Sequence, residues 1–65
     1  MNIKKYRRFI SVTQSDMAAV AEISPTTYWY KEKGERPFTQ DEMIKIHQYI
    51  KKEIPDITIE RLFFT

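Results

Sequence analysis

The chain has 65 residues, of which 42% are hydrophobic and 31% charged, with a net charge of +2 and no cysteine. This length predicts one domain over residues 1–65, and the lack of cysteine excludes disulfides and thiolate metal sites. No apolar run reaches the roughly 20 residues of a membrane span, and the start, MNIKKYRR, lacks the apolar stretch of a signal peptide. The sequence therefore predicts a cytoplasmic protein with no membrane partner.

The first predicted helix covers residues 3–11. Ile3, Tyr6 and Ile10 recur at helical spacing, and Phe9 lies beside them. Lysines and arginines fill the other side. Seven of the eleven basic residues, but only four of the nine acidic ones, precede position 41. This excess is compatible with an anionic partner and equally with a solvated surface.

The second predicted helix covers residues 14–21. Thr13, followed three residues later by Asp16, has the pattern of a capping box. Small and apolar residues form its core side: Met17, Ala18, Val20 and Ala21. The alanines allow close approach of a neighbouring helix, and Ile23 is expected to fill the space in the turn that follows.

The third predicted helix covers residues 25–33. Ser24 is its expected N-cap, and Pro25 takes the first helical position, where the missing N–H costs nothing. Gly34, the only glycine, is expected to end the helix in the left-handed conformation. Two short helices joined in this way, about residues 14–33, match a helix-turn-helix.

Two more helices follow in the prediction. Thr39 with Glu42 repeats the capping box, and the fourth helix ends at Pro55. Its core stripe comprises Met43, Ile46, Ile50 and Ile54. Thr58 is expected to cap a fifth helix over residues 59–64. The predicted fold is thus an all-α domain of four to five helices.

The last helix carries three consecutive apolar residues, Leu62, Phe63 and Phe64. They are too apolar for a free tail, so either they close the core or they form a self-association surface for a homodimer. Both interpretations stay open at this point.

Taken together, these residues resemble the phage Cro and repressor-type (XRE-like) helix-turn-helix family of small phage and mobile-element regulators. The matching positions include Arg7, Gln14, Met17, Ala18, Ile23, Ser24, Glu32, Lys33 and Gly34, with residues 57–60 near the end. The resemblance implies a compact lambda-repressor-like domain. It also implies a structural ion pair between Arg7 and Glu32, which would tie the first helix to the end of the third.

The resemblance further implies a transcriptional regulator whose third helix lies in the major groove of a double-stranded DNA operator. Carried over by position, the residues facing bases are Pro25, Thr26 and Tyr30. Those suited to phosphate contact are Gln14, Thr27, Lys33 and Arg36. No cofactor or small-molecule substrate is implied.

Three positions depart from the family pattern. Glu22 stands where glycine is usual, so the turn is expected to be strained or built differently. Tyr28 and Lys31 replace aliphatic core residues. Tyr28 can be accommodated if its hydroxyl reaches solvent, and Lys31 if its stem lies along the core with the amine outside, and both are expected to weaken the packing of the third helix.

The third helix contains no Arg, Asn or Gln, the residues that make bidentate contacts to bases. It has Tyr28, Trp29 and Tyr30 in succession, which cannot all be buried on one helix. Exposed aromatics beside threonines suit thymine methyls and sugars, but equally a protein partner, and two of them could simply complete the core. The alternative function is therefore an antirepressor that covers the DNA-binding surface of a partner repressor.

Catalysis is not predicted. The chain has no cysteine nucleophile and no glycine-rich phosphate loop, and its one histidine, His47, lacks a second ligand at metal spacing. His47 is expected to flank the core stripe of the fourth helix. Asp41 and Glu42 are better explained by the helix dipole than as a catalytic pair.

Overall fold

A computed structural model describes residues 1–65, which form five α-helices and no strand. They are α1 (Ile3–Phe9), α2 (Gln14–Ala21), α3 (Pro25–Glu32), α4 (Gln40–Lys51) and α5 (Ile59–Phe63). Helix α2 packs against α3 and α4, and α5 contacts α4 and α1. The predicted all-α fold is confirmed. None of the helices combines the length and the apolar character needed to cross a membrane.

Two helices end earlier than predicted. Helix α1 stops at Phe9 rather than Ser11, because Ser11 takes a positive φ of 60° and turns the chain. Helix α4 stops at Lys51, because Pro55 has no N–H to donate to the Lys51 carbonyl and its ring would clash with that carbonyl in a longer helix. Helices α3 and α5 end within one residue of the prediction.

The predicted N-caps are confirmed. Each cap oxygen accepts a hydrogen bond from the backbone N–H three residues later; the cap residues are Thr13, Ser24, Thr39 and Thr58. At Thr13 and Thr39 the carboxylate three residues later accepts a hydrogen bond from the cap N–H, so both predicted capping boxes are complete. Local sequence thus determines where four of the five helices begin.

Two residues with positive φ end the helices of the helix-turn-helix. Gly34 has φ of +86°, as predicted, and no atom lies near the place a Cβ would occupy. Glu22 has φ of 61° and ψ of 42°, the left-handed conformation that glycine adopts without strain. The turn therefore keeps its glycine-type geometry. The Glu22 carboxylate lies 2.6 Å from Lys45 Nζ, which ties the turn to α4.

Ten buried side chains form the core. They are Ile3, Met17, Ala18, Ala21, Tyr28, Ile46, Ile50, Ile57, Leu62 and Phe63. Phe38, from the loop after α3, contacts two of them, with ring centroids 5.8 Å from Tyr28 and 5.3 Å from Phe63. The core stripes predicted for α2 and α4 are present, although Val20, Met43 and Ile54 are only partly buried.

The aromatic residues at the two ends of the chain require corrections. Phe9 is 77% exposed, so it does not join the core stripe of α1. Leu62 and Phe63 are buried and close the core, which removes them from any self-association surface. Phe64 is 66% exposed and is the only one of the three C-terminal apolar residues still available for such a contact.

The two ends of the chain are hydrogen-bonded to each other. The Asn2 backbone N–H donates to the Leu62 carbonyl at 2.9 Å. The Asn2 side-chain amide donates to the carbonyls of Arg61 and Thr65 at 3.1 and 3.2 Å. These bonds fix the start of α1 against α5.

Candidate functional site

Helix α3 is held against the rest of the domain by one buried carboxylate. Glu32 accepts from Arg7 Nε at 2.9 Å and from Arg7 Nη2 at 3.1 Å, so the predicted ion pair is present and bidentate. Arg7 Nη1 donates a third hydrogen bond to the carbonyl of Val12, at 2.8 Å. The pair therefore ties together α1, the α1–α2 link and the end of α3.

Two further side chains donate to the same carboxylate. The Tyr28 hydroxyl lies 2.6 Å from Glu32 Oε2, and the Gln14 amide lies 3.0 Å from Glu32 Oε1. Tyr28 is fully buried, which corrects the expectation that its hydroxyl reaches solvent. Arg7, Gln14, Tyr28 and Glu32 are called the Glu32 cluster below.

Protonation in the Glu32 cluster follows from these bonds. Burial alone would raise the pKa of Glu32, but the bonds from Arg7, Tyr28 and Gln14 outweigh it and lower the pKa. The pKa of Arg7 is raised, mainly by its hydrogen bonds to Glu32. Burial, together with the bond to Glu32, raises the pKa of Tyr28 well above its ordinary value. The cluster is thus a charged pair with a neutral phenol.

Lys31, the other departure in α3, is also paired. Its Nζ lies 2.6 Å from Glu42 Oε1, and both side chains are largely buried, with 12% and 10% exposed. Glu42 Oε1 accepts from the Thr39 N–H as well, so the same acid caps α4 and binds Lys31. The Lys31 amine is therefore committed to α4 instead of reaching solvent. Burial opposes ionisation of Glu42, but the bond from Lys31 and those at Thr39 lower its pKa.

The opposite side of α3 faces outward. Pro25, Thr26 and Trp29 are exposed, and Tyr30 is half-buried. With Gln14 these residues line a shallow depression on the surface. The Trp29 and Tyr30 rings meet edge to face with centroids 5.0 Å apart. The centre of this surface is therefore largely aromatic and aliphatic, with the hydroxyls of Thr26 and Tyr30 and the Gln14 amide as its polar groups.

Two cations border the aromatic pair. Lys33 Nζ lies 3.8 Å from the centroid of the Trp29 ring, and Arg36 Cζ lies 4.8 Å from the centroid of the Tyr30 ring. Lys33 also contacts Glu35 at 2.8 Å, with both side chains solvated. We call Pro25, Thr26, Trp29, Tyr30, Lys33 and Arg36 the α3 outer face.

The structure brings together most of the residues predicted for binding. Five of them line the depression, and Lys33 and Arg36 stack on its two aromatic rings. Thr27 is half-buried, and its Oγ1 accepts a bond from Ser24 Oγ at 2.9 Å, which leaves the Thr27 hydroxyl proton free to donate. Gln14 is only partly available, because its amide donates to Glu32.

Sequence reasoning missed the two cation–aromatic contacts. The Trp29 and Lys33 pair has a spacing of four residues, which brings side chains together on a helix, so this contact had a detectable signal. The Tyr30 and Arg36 contact had none, since Arg36 lies in the loop beyond α3. His47, as expected, flanks the core, with Nε2 2.8 Å from the carbonyl of Ile57.

Comparisons of the chain with protein-family models, curated proteins and solved structures found no match to any of them. The fold and the α3 outer face are therefore interpreted from their own geometry and chemistry.

Proposed function

We propose that the protein is a DNA-binding transcriptional regulator of the Cro and repressor type, with α3 lying in the major groove. One observation carries this proposal. The single acid of α3, Glu32, is turned inward and neutralised by Arg7. The α3 outer face is left with apolar, hydroxyl and cationic groups, and the nearby acid Glu35 lies in the following loop, where it contacts Lys33 at 2.8 Å. Such a surface is complementary to a polyanion.

The shape of the helix pair supports the same proposal. A helix about 10–12 Å wide fits a major groove about 12 Å wide. The first turn of α3 is accessible, with Pro25 and Thr26 exposed and the N-cap Ser24 beside them. Pro25 has no N–H and the Thr27 N–H is bonded to Ser24 Oγ, so the Thr26 N–H and the positive end of the helix dipole are what would stabilise a phosphate at this end. Lys33 and Arg36 extend the cationic edge beyond the other end of α3.

Two copies would be needed for tight and specific binding. A monomer with few phosphate contacts binds weakly and with steep salt dependence, whereas two recognition helices about 34 Å apart address successive turns of DNA. Since Leu62 and Phe63 of α5 are buried, we propose Phe64, directly after α5, as the C-terminal residue at a homodimer contact.

An antirepressor remains the second proposal, and Trp29 is the observation that favours it. Trp29 is 41% exposed at the centre of the α3 outer face, and tryptophan often anchors protein interfaces. In this version, the α3 outer face covers the DNA-reading surface of a partner repressor. Trp29→Ala would then cost roughly 2 kcal/mol or more against that partner.

The test begins with selection of duplexes from a randomised DNA pool, followed by titration of the best duplex at several salt concentrations. Lys33→Ala and Arg36→Ala should weaken binding to all sequences, and each should lower the salt slope by about one. Thr26→Ala should alter the selected sequence. Lys51→Ala, at the far end of α4 from Glu42, is the charge-matched control and should change little.

Two outcomes would count against the proposal of DNA binding. One is that no duplex binds at low salt. The other is that Lys51→Ala lowers the salt slope as much as Lys33→Ala does, since binding would then be non-specific attraction to the whole surface. Capture of a repressor by the wild-type protein but not by Trp29→Ala, with no duplex bound, would favour the antirepressor.

A further inference from the structure

We infer that the α3 outer face recognises thymine through its C5-methyl groups, at two adjacent base pairs. This inference rests on the proposed function, because it requires that the α3 outer face binds duplex DNA. It specifies which feature of the bases the face can distinguish.

The residues that recognise bases by bidentate hydrogen bonds are missing from α3, and of the two that flank it, Gln14 is partly engaged and Arg36 lies at the border of the α3 outer face. Arg, Asn and Gln make the bidentate contacts to guanine and adenine, and α3 contains none of them. Two such residues flank the helix. Gln14 donates its amide to Glu32 at 3.0 Å, and the Arg36 guanidinium stacks on Tyr30 with its Cζ 4.8 Å from the ring centroid. Hydrogen-bond readout is therefore weak at this face.

The α3 outer face offers apolar surface for contact with bases. Of the five residues that line the depression, three are exposed and offer apolar surface, through the Pro25 ring, the Thr26 methyl group and the Trp29 ring. Gln14 and Tyr30, both half-buried, complete the lining. The methyl group of thymine is the apolar feature that the major groove offers. A methyl group seated among these three side chains would leave water without displacing any hydrogen bond of the protein.

The spacing along the helix sets the number of bases. Pro25 and Trp29 are four residues apart, or about 6 Å along the helix axis. Successive bases on one strand are about 3.4 Å apart. The depression therefore has room for about two stacked bases, which fits two neighbouring thymines.

Two cations at the border of the α3 outer face add attraction for DNA without adding base specificity. Lys33 lies over the Trp29 ring and Arg36 over the Tyr30 ring, both at the edge of the depression. From that edge they can approach phosphates, while the apolar centre faces the bases. The face thus divides into a neutral centre and a charged border.

The test replaces thymine by uracil, which removes the C5-methyl group and leaves the hydrogen-bonding groups unchanged. In the best duplex from the selection described above, each thymine is replaced singly. We expect uracil to weaken binding about fourfold at each of two adjacent positions, equivalent to the roughly 0.8 kcal/mol of one buried methyl group. Uracil at the other thymines of the same duplex is the control and should have little effect.

A substitution at Thr26 tests whether the uracil effect arises at the α3 outer face. Thr26→Ser keeps the hydroxyl and removes only the methyl group, so the uracil effect at one position should shrink to less than twofold. Thr27→Ser makes the same change at the half-buried neighbour and should preserve the uracil effect. Both substitutions leave the Glu32 cluster and the core untouched.

The outcomes separate the inference from the function on which it rests. If duplexes bind with Lys33-dependent salt slopes but uracil has no effect at any position, thymine-methyl reading is wrong and DNA binding stands. If uracil weakens binding equally in the wild type and in Thr26→Ser, the methyl contact lies elsewhere and the inference is also wrong. If no duplex is bound, both fail together.

Discussion

Arg7 and Glu32 are joined by two hydrogen bonds, Nε to Oε2 at 2.9 Å and Nη2 to Oε1 at 3.1 Å, across 25 residues of sequence. Only 8% of the Arg7 side chain and 2% of the Glu32 side chain are exposed. A carboxylate so enclosed depends on its partner for charge compensation. The orientation of α3, and with it the α3 outer face, depends on this contact.

Arg7→Met should lower the free energy of unfolding by about 3–5 kcal/mol, because Glu32 would keep a buried charge without its counter-ion. For a chain of this size the total is about 3–10 kcal/mol, so the variant should be partly unfolded at 25 °C. Urea denaturation followed by circular dichroism measures the change. Arg8→Met, at the exposed neighbour, should stay within about 0.5 kcal/mol of wild type. A loss below about 1 kcal/mol in Arg7→Met would contradict the assigned role.

Acid should destabilise the fold through Glu32 and Glu42. Their folded-state pKa values lie below the ordinary value of 4.5, so both stabilise the fold above that pH and lose the contribution as pH falls below it. Glu42→Gln should make the decline of unfolding free energy below pH 4.5 shallower. Glu60→Gln, at an exposed position, should leave the slope as in wild type. Equal slopes for all three proteins would disprove the contribution of Glu42.

Alkali should destabilise the fold through Tyr28. Its folded-state pKa lies above the ordinary value of 10.0, so its contribution is complete below pH 10 and is lost as pH rises further. Tyr28→Phe should cost about 1.5–3 kcal/mol at neutral pH, through the lost bond to a charged acceptor, and should flatten the decline above pH 10. Phenolate absorbance provides a direct check, since Tyr28 should ionise only on unfolding. Tyr49→Phe is the control. Ionisation of Tyr28 near pH 10 while the protein is still folded would refute the prediction.

Substitution of the two neighbouring phenylalanines near the C-terminus should lower the free energy of unfolding to very different extents. Phe63 is buried against Phe38, whereas Phe64 is 66% exposed. Phe63→Ala should cost about 3–5 kcal/mol of unfolding free energy. Phe64→Ala should cost about 0.5 kcal/mol or less. Thermal melts of the two variants at equal concentration make the comparison, and similar losses would show that α5 is packed differently.

Features encoded by neighbouring residues could be predicted from the sequence. The four caps depend on residues three positions apart, and the left-handed Gly34 depends on one residue. The sequence predicts Phe9 beside the core stripe of α1, but Phe9 lies about 100° from Ile10 around the helix, at the edge of the apolar face. Helical spacing alone did not indicate how wide the buried strip would be.

Features that join distant elements were harder to predict. Arg7 and Glu32 were paired only through the family resemblance, and nothing local indicated that Gln14 and Tyr28 would donate to the same carboxylate. Lys31 and Glu42 likewise meet across the α3–α4 loop. A polar residue at a core position indicates that a buried hydrogen-bond partner must exist. Which residue that partner is follows only from the packing of α1, α2 and α4 around α3.

The closed arrangement of the chain ends affects how the protein can be handled. Asn2 bonds to Thr65, and the pocket beside these ends is lined by Met1, Phe64, Gly34 and Arg36 among others. An affinity tag at either end would therefore emerge next to the loop that follows α3, where a histidine-rich or basic tag would add its own attraction for phosphate. Binding measurements require tag-free protein. A fluorophore attached at the same place, by contrast, would report directly on a duplex approaching that edge.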